Sequence, residues 1–398
     1  MVTSRSIISI RRLLALVPLV CIAGCGDLGF LQPPTATPVI IIAPSVPPGS
    51  PPPSTIAPTV GQARESPTAV SDTPVGATGG LLARVQQRGT LICGVNPDLP
   101  GFGYYDNVRR QWSGFDVDFC RVVAAAIFGD ATRVEFRAVS AAERWEFIRE
   151  GEIDVLFRNS TWTAERDLAE RVDFGPITFH DGQGFLTHLD ANLTTPNDLD
   201  GHSICVTADT TSESNVRDEM AARGISVDIQ PYESVDATFN AYDQRRCDAV
   251  TSDRSQLVVK QQTLTDPTAH YLMGDLISRE PLAPAFIEND SQWQEVISWS
   301  IFATIYAEEL RVDQRNVADI VKTTTDPRIR RLLGLDGTIG TDLGVSNDFA
   351  FQIIQQVGNY ADIYNRNLGP RTPFNLDRGP NKVWNLGEGG ILAAPPFR

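Results

Sequence analysis

The sequence predicts an α/β protein of two lobes, each a mainly parallel sheet flanked by helices. Three observations carry that prediction. From Leu81 onward, short apolar runs alternate with amphipathic stretches, and the same alternation restarts near Ser203. The prolines are crowded upstream, with 12 of the 27 between Gln32 and Pro74, which leaves the rest of the chain free to form regular elements.

In the first lobe, Thr90 to Val95 is a short apolar run closed by Asn96-Pro97, which suits a buried parallel strand. Phe115 to Phe128 places Phe119, Val122, Val123, Ala126 and Ile127 on one helical face, with Gly129 as the stop. Val134 to Val139 reads as a second strand. Ser140-Ala141-Ala142-Glu143 then reads as a capping box opening a helix that ends at Gly151, and Ile153 to Phe157 as a third strand. This is βαβαβ, so the strands run parallel. The second lobe repeats it with strands at Ser203 to Thr207, Ile225 to Tyr232 and Asp248 to Ser252. Helices begin at Thr210 with Glu213 and run from Val235 to Arg245. Ligands of open parallel sheets sit outside the carboxyl ends of the strands, so two such lobes imply a cleft between them.

The first 25 residues read as a targeting segment. Arg5, Arg11 and Arg12 precede an apolar run from Leu13 to Ala23 that is too short for a permanent membrane helix. It closes on Ile22-Ala23-Gly24-Cys25, which resembles the bacterial lipobox and implies a lipid anchor on Cys25. Residues 26–80 are rich in Pro, Thr and Ser, as in Pro47-Pro48-Gly49-Ser50-Pro51-Pro52-Pro53, and are expected to form an extended tether. The body beyond contains no further 18-residue apolar run, and a soluble body is expected.

Lys and Arg total 34 against 49 Asp and Glu, a net charge of −15. Without the targeting segment's three arginines, the balance is 31 − 49 = −18. A chain this acidic, with no basic stripe, is not expected to bind nucleic acid.

At this point the residues resemble a family. Gly94-Val95-Asn96-Pro97, Trp112-Ser113-Gly114-Phe115-Asp116-Val117-Asp118, Gly151-Glu152-Ile153-Asp154 and Thr161-Trp162-Thr163-Ala164-Glu165-Arg166 follow in order. Asp181-Gly182-Gln183-Gly184-Phe185, Asp248 to Asp253 and Gln356-Val357-Gly358-Asn359-Tyr360 come after them. Together these are similar to the amino-acid-binding proteins of ABC importers, which have the two-lobed periplasmic-binding-protein type 2 fold with a two-segment hinge. The stretch from Arg158 to Thr163 and the tail at Ala394-Pro395-Pro396 look most like the general L-amino-acid subgroup, which accepts Glu, Gln, Asp and Asn among others.

The resemblance implies lobe 1 at residues 81–189, lobe 2 at 190–280, and a return to lobe 1 with a C-terminal helical tail at 281–398. Crossings are expected near Leu186 to Leu193 and Ile277 to Pro284. It also implies an L-amino acid as ligand, ABC permease subunits as partners, no cofactor and no metal; the protein is expected to be a monomer.

An α-amino acid carries a carboxylate and an ammonium close together, so its cleft needs a bidentate cation for one and a carboxylate for the other. The resemblance places Arg166 on the α-carboxylate, helped by Thr161, and Asp253 on the ammonium. Thr210 and Thr211 fall at a helix N-terminus, where free N–H groups favour an anion. Asp209 stands there in place of the family's usual glycine, and Asp tolerates a positive φ better than most residues. Arg158 and Asn96 match positions lining the side-chain pocket. Leu99 replaces a stacking aromatic, and Phe102 is the expected substitute.

Of the four cysteines beyond Cys25, Cys93 lies on the first strand and Cys120 on the helix over it, while Cys205 and Cys247 lie near two strands expected to be neighbours. Export permits disulfides, and the expected pairs are Cys93–Cys120 and Cys205–Cys247, with free buried thiols the alternative. Two rival functions remain: a ligand-sensing domain acting with a membrane receptor, and a cleft enzyme using Glu143 or Asp253. The four histidines have neither helical metal-site spacing nor a Cys-x-x-Cys nearby, and no nucleophile elbow or P-loop is present, so a binding protein rather than an enzyme is expected.

Overall fold

The computed structural model describes residues 80–398; the targeting segment, Cys25 and the tether lie outside the described residues. The body opens with α1 (Leu81–Arg88), which stops at Gly89 in the left-handed conformation that glycine adopts without penalty. β1 (Leu91–Val95) follows, then a ribbon of β2 (Asp98–Leu99), β3 (Gly103–Asp106) and β4 (Gln111–Ser113). Next come α2 (Phe115–Phe128), β5 (Val134–Ala138), α3 (Arg144–Arg149), β6 (Val155–Phe157), α4 (Ala164–Ala169), β7 (Val172–Phe174) and β8 (Phe179–Asp181). The second lobe holds β9 (Gln183–His188), β10 (Ser203–Thr207), α5 (Thr211–Arg223), β11 (Asp228–Tyr232), α6 (Val235–Asp243), β12 (Ala249–Asp253), α7 (Arg254–Gln261) and β13 (His270–Leu272). The chain returns through β14 (Glu280–Leu282) and β15 (Ala285–Ile287). It ends in α8 (Ser291–Glu309), α9 (Val317–Thr323), α10 (Pro327–Leu332), α11 (Ile339–Leu343), α12 (Phe349–Gln356) and α13 (Tyr360–Asn367).

Two five-stranded sheets result, ordered β5-β1-β6-β15-β7 and β11-β10-β12-β9-β13. In each, a single strand runs against the other four: β15 in the first and β9 in the second. Both are the first strand laid down after a crossing, which explains why a parallel βαβ grammar gives sheets that are only mainly parallel.

The crossings run through β8 and β14, which pair antiparallel with Asp181 opposite Glu280 and Leu282 opposite Phe179. The first crossing therefore departs from the expected one at Leu186 to Leu193. β9 pairs with β12 from Gln183↔Asp253 to Thr187↔Ala249, so Leu186 sits inside the second sheet and the chain crosses between 181 and 183. Phe185, Leu186 and Leu193 are core residues of the second lobe.

α2 meets its sequence expectation residue for residue, ending at Gly129 with φ 65°. The return segment packs on the first lobe, where Tyr360 and Tyr364 of α13 join Phe115, Phe119 and Phe179 in one aromatic cluster. Asn381 then clasps the crossing strand: its side chain accepts from the His180 N–H at 2.6 Å and donates to the His180 carbonyl at 2.9 Å. Each lobe carries one disulfide, Cys93–Cys120 between β1 and α2, and Cys205–Cys247 between β10 and the turn before β12. Neither bridge crosses the cleft, so both brace a lobe without linking the two.

Candidate ligand-binding site

The carboxyl ends of β6, β10 and β12 face one another across a cavity. It is lined by Arg158, Asn159, Thr161 and Arg166 from one side, and by Thr207, Thr210, Thr211, Ser212, Ser252 and Asp253 from the other; Arg144, Ala141, Val235 and Gln256 complete it.

Arg166 is held from two directions. Its helix is capped by Thr163, whose side chain accepts from the Arg166 N–H, and its Nη1 donates to the Thr161 carbonyl at 2.9 Å. The guanidinium lies 5.4 Å from the centre of the Trp145 ring, a cation–π contact that fixes its plane. Burial lowers its pKa, while Glu280 and Asp253 oppose that effect and favour the charged form.

Arg158 donates from Nε to the Val139 carbonyl at 2.7 Å, and burial pushes it down to about 10, with Asp116 the principal opposing charge. It lines this cavity and also an adjoining one that contains Asn96. The loop between them is pinned by Asp116, which accepts from the Asn159 N–H at 2.8 Å; Asn159 itself sits at φ 35°. Burial pushes Asp116 up to about 7.

Across the cleft, Thr210 caps α5: its hydroxyl accepts from the Glu213 N–H and donates to the Thr207 carbonyl. Asp209 does adopt a positive φ, 58°, as expected for a residue replacing glycine. Gln183, fully buried at the start of β9, steadies this turn by donating to the Ser212 carbonyl and to Thr251 Oγ1, both at 2.9 Å. Asp253 ends β12 and makes no side-chain cap to α7. Its carboxyl pKa is raised well above the usual value, first by burial and then by Asp181 and Glu280, with Arg166 opposing.

Glu280 closes the back of the site. Its carboxylate accepts from Thr161 Oγ1 at 2.6 Å, Thr211 Oγ1 at 3.0 Å and Asn215 Nδ2 at 2.7 Å, so it joins both lobes. The hydroxyls of Thr161 and Thr211 therefore donate to protein.

Of the residues expected from sequence, Arg166, Thr161, Asp253, Arg158, Thr210 and Thr211 meet at one cavity. Asn96 does not reach it; its amide donates to Asn159 Oδ1 at 3.2 Å and it lines the neighbouring cavity. Phe102 is not a pocket residue at all: it is 1% exposed and packs edge-on against Phe115 and Phe179 in the first-lobe core. The turn before β3 carries it inward, because burying an aromatic ring there outweighs presenting it to the cleft. Arg144, Trp145, Glu280 and Gln183 were not singled out from sequence, because their partners lie on distant elements.

Two mainly parallel sheets joined by an antiparallel pair of crossing strands, with a cation-rich cavity between them, define a two-lobed solute-binding protein. The chain belongs to the bacterial extracellular solute-binding proteins, family 3, which it matches over residues 91–297. It is 43% identical over 332 residues to the general L-amino acid-binding periplasmic protein AapJ of Rhizobium johnstonii, covering 83% of this chain and 96% of the relative. It is 37% identical over 327 residues to the glutamate/glutamine/aspartate/asparagine-binding protein BztA of Rhodobacter capsulatus, covering 81% and 94%. Among solved structures, an ABC-transporter periplasmic binding protein from Brucella ovis with glutathione bound superposes with a TM-score of 0.78 at 40% identity, covering 80% of this chain and 100% of the other. These relatives are solute-binding proteins rather than enzymes, and the names of AapJ and of the Brucella ovis protein call them periplasmic.

Proposed function

We propose that this protein captures polar and acidic L-amino acids, Glu, Gln, Asp and Asn, in the cleft between its lobes and delivers them to the permease of an ABC importer. The observation that carries the reading is the pairing of Arg166 with Asp253 across one cavity: a guanidinium for the α-carboxylate and a carboxyl group for the α-ammonium. The names of the relatives support the same ligand class. Arg158 supplies a second cation for the ligand's side chain, and the first turn of α5 supplies N–H groups for the α-carboxylate. Asn96 acts one shell further out, through Asn159.

The ligand docks on Arg166 and Thr161, and the second lobe then closes over it about the β8 and β14 strands. Cys25, outside the described residues, carries the lipid anchor that holds the protein as a monomer at the membrane, and residues 26–80 act as the tether. A receptor-sensing role would use the same cleft with a different partner chain.

Calorimetry with a panel of L-amino acids tests the reading, with glutathione included as the ligand of the Brucella ovis relative. Micromolar or tighter binding of the polar and acidic members is expected; no heat with any of them overturns it.

A further inference from the structure

The site contains a third arginine that the reading above leaves without a task. Arg144 opens α3, is 3% exposed, and lines both the cavity and the groove at its mouth. Its Nη2 reaches across the cleft to the Asp209 carbonyl at 3.0 Å, and its guanidinium lies 4.7 Å from the centre of the Trp145 ring. Its Nε is the one buried side-chain nitrogen or oxygen among the described residues without a hydrogen-bond partner. Leaving a buried cationic donor unpaired is costly, so such groups are normally satisfied.

The charge count at the cavity wall points the same way. The titratable side chains at the wall are Arg144, Arg158, Arg166 and Asp253, with Glu280 behind Thr161 and Thr211, three cations against two carboxyls. An amino acid with a neutral side chain is a zwitterion and leaves that excess as it is, whereas an acidic one brings a second anion. Burial and the positive charges of Arg166 and Arg158 all work against the charged form of Arg144, so a nearby anion relieves it.

Resting on the amino-acid reading above, we propose that Arg144 receives a second anionic group on the ligand, so that the cleft prefers acidic amino acids over their amides. Because the same guanidinium bonds the Asp209 carbonyl, the ligand's second anion also helps fix the residue that spans the two lobes.

The test is calorimetry on the full chain with L-glutamate and L-glutamine, using wild type, Arg144→Gln and Arg144→Lys. Wild type is expected to bind glutamate about tenfold or more tightly than glutamine, the difference between a charge-assisted and a neutral contact. Arg144→Gln is expected to erase that ratio: losing the contact to the Asp209 carbonyl weakens both ligands by up to about tenfold, and glutamate loses about tenfold or more beyond that; Arg144→Lys keeps the charge and retains part of the preference. Equal losses for both ligands in Arg144→Gln, or no loss, overturn the proposal. Should the variants fail to fold, the wild-type ratio decides alone: glutamine bound as tightly as glutamate overturns it. Wild type binding no amino acid overturns instead the reading on which it rests.

Discussion

Asp181 and Glu280 stand directly opposite each other across β8 and β14, the strand pair through which both crossings run. Asp181 accepts from the N–H groups of Gly182 and Ser255, the latter in the second lobe, while Glu280 gathers donors from both lobes. Asp181, half-buried at this pivot, ties the protonation of the crossing to the stability of the fold.

Burial, with the Glu280 charge adding to it, pushes the Asp181 carboxyl up to about 6 from an ordinary 3.8. Between those values the native state holds more protons than the unfolded one, so this group's contribution falls as pH rises. Asp181→Asn does not titrate and escapes that loss. Its melting temperature relative to wild type should rise between about pH 4 and about pH 6 and level off by about pH 7; a difference that does not change with pH contradicts the assignment.

Lys260 of α7 is buried, and its Nζ donates to Asp236 in its own lobe and to the Asp98 carbonyl in the other, at 3.3 Å. Lys260→Met removes a contact made only when the lobes are together. Affinity should drop by about three- to tenfold for every ligand alike, because the closed state alone is weakened. Calorimetry showing altered selectivity, or no loss, would count against a role in closure.

Gly114 occupies φ 134°, and a Cβ there would stand 2.0 Å from the Phe102 carbonyl oxygen. Gly114→Ala combines a disallowed backbone with a clash against main chain, and should cost more than about 3 kcal/mol in denaturant unfolding. A cost under about 1 kcal/mol would show that the turn relaxes.

That glycine also shows what a sequence discloses. The Trp112-Ser113-Gly114-Phe115-Asp116-Val117-Asp118 run was recognisable as a motif, yet the reasons for its residues lie far along the chain. Asp116 holds the Asn159 loop, and Asp118 accepts from Arg366 and Asn367 of α13, some 250 residues away. Local signals were legible: the α2 boundaries, the Thr210 cap and both cysteine pairs follow from spacing and neighbouring elements, while the positive φ at Asp209 was implied by the family resemblance. Arg144 was not, because it follows an ordinary turn and its partner Asp209 belongs to the other lobe. Glu280 was hidden for the same reason. Phe102 was misplaced because an aromatic beside a cleft and an aromatic in a core read alike until the turn geometry is known.

The clamp on the α-carboxylate is the centre of the account, and Arg166→Ala tests it most directly. Calorimetry should show every amino acid that wild type binds losing about a hundredfold or more in affinity, since the ligand's buried carboxylate is left without its cation. Thermal unfolding run alongside should show the variant folded. A folded Arg166→Ala protein whose affinities stay within about threefold of wild type would contradict the account.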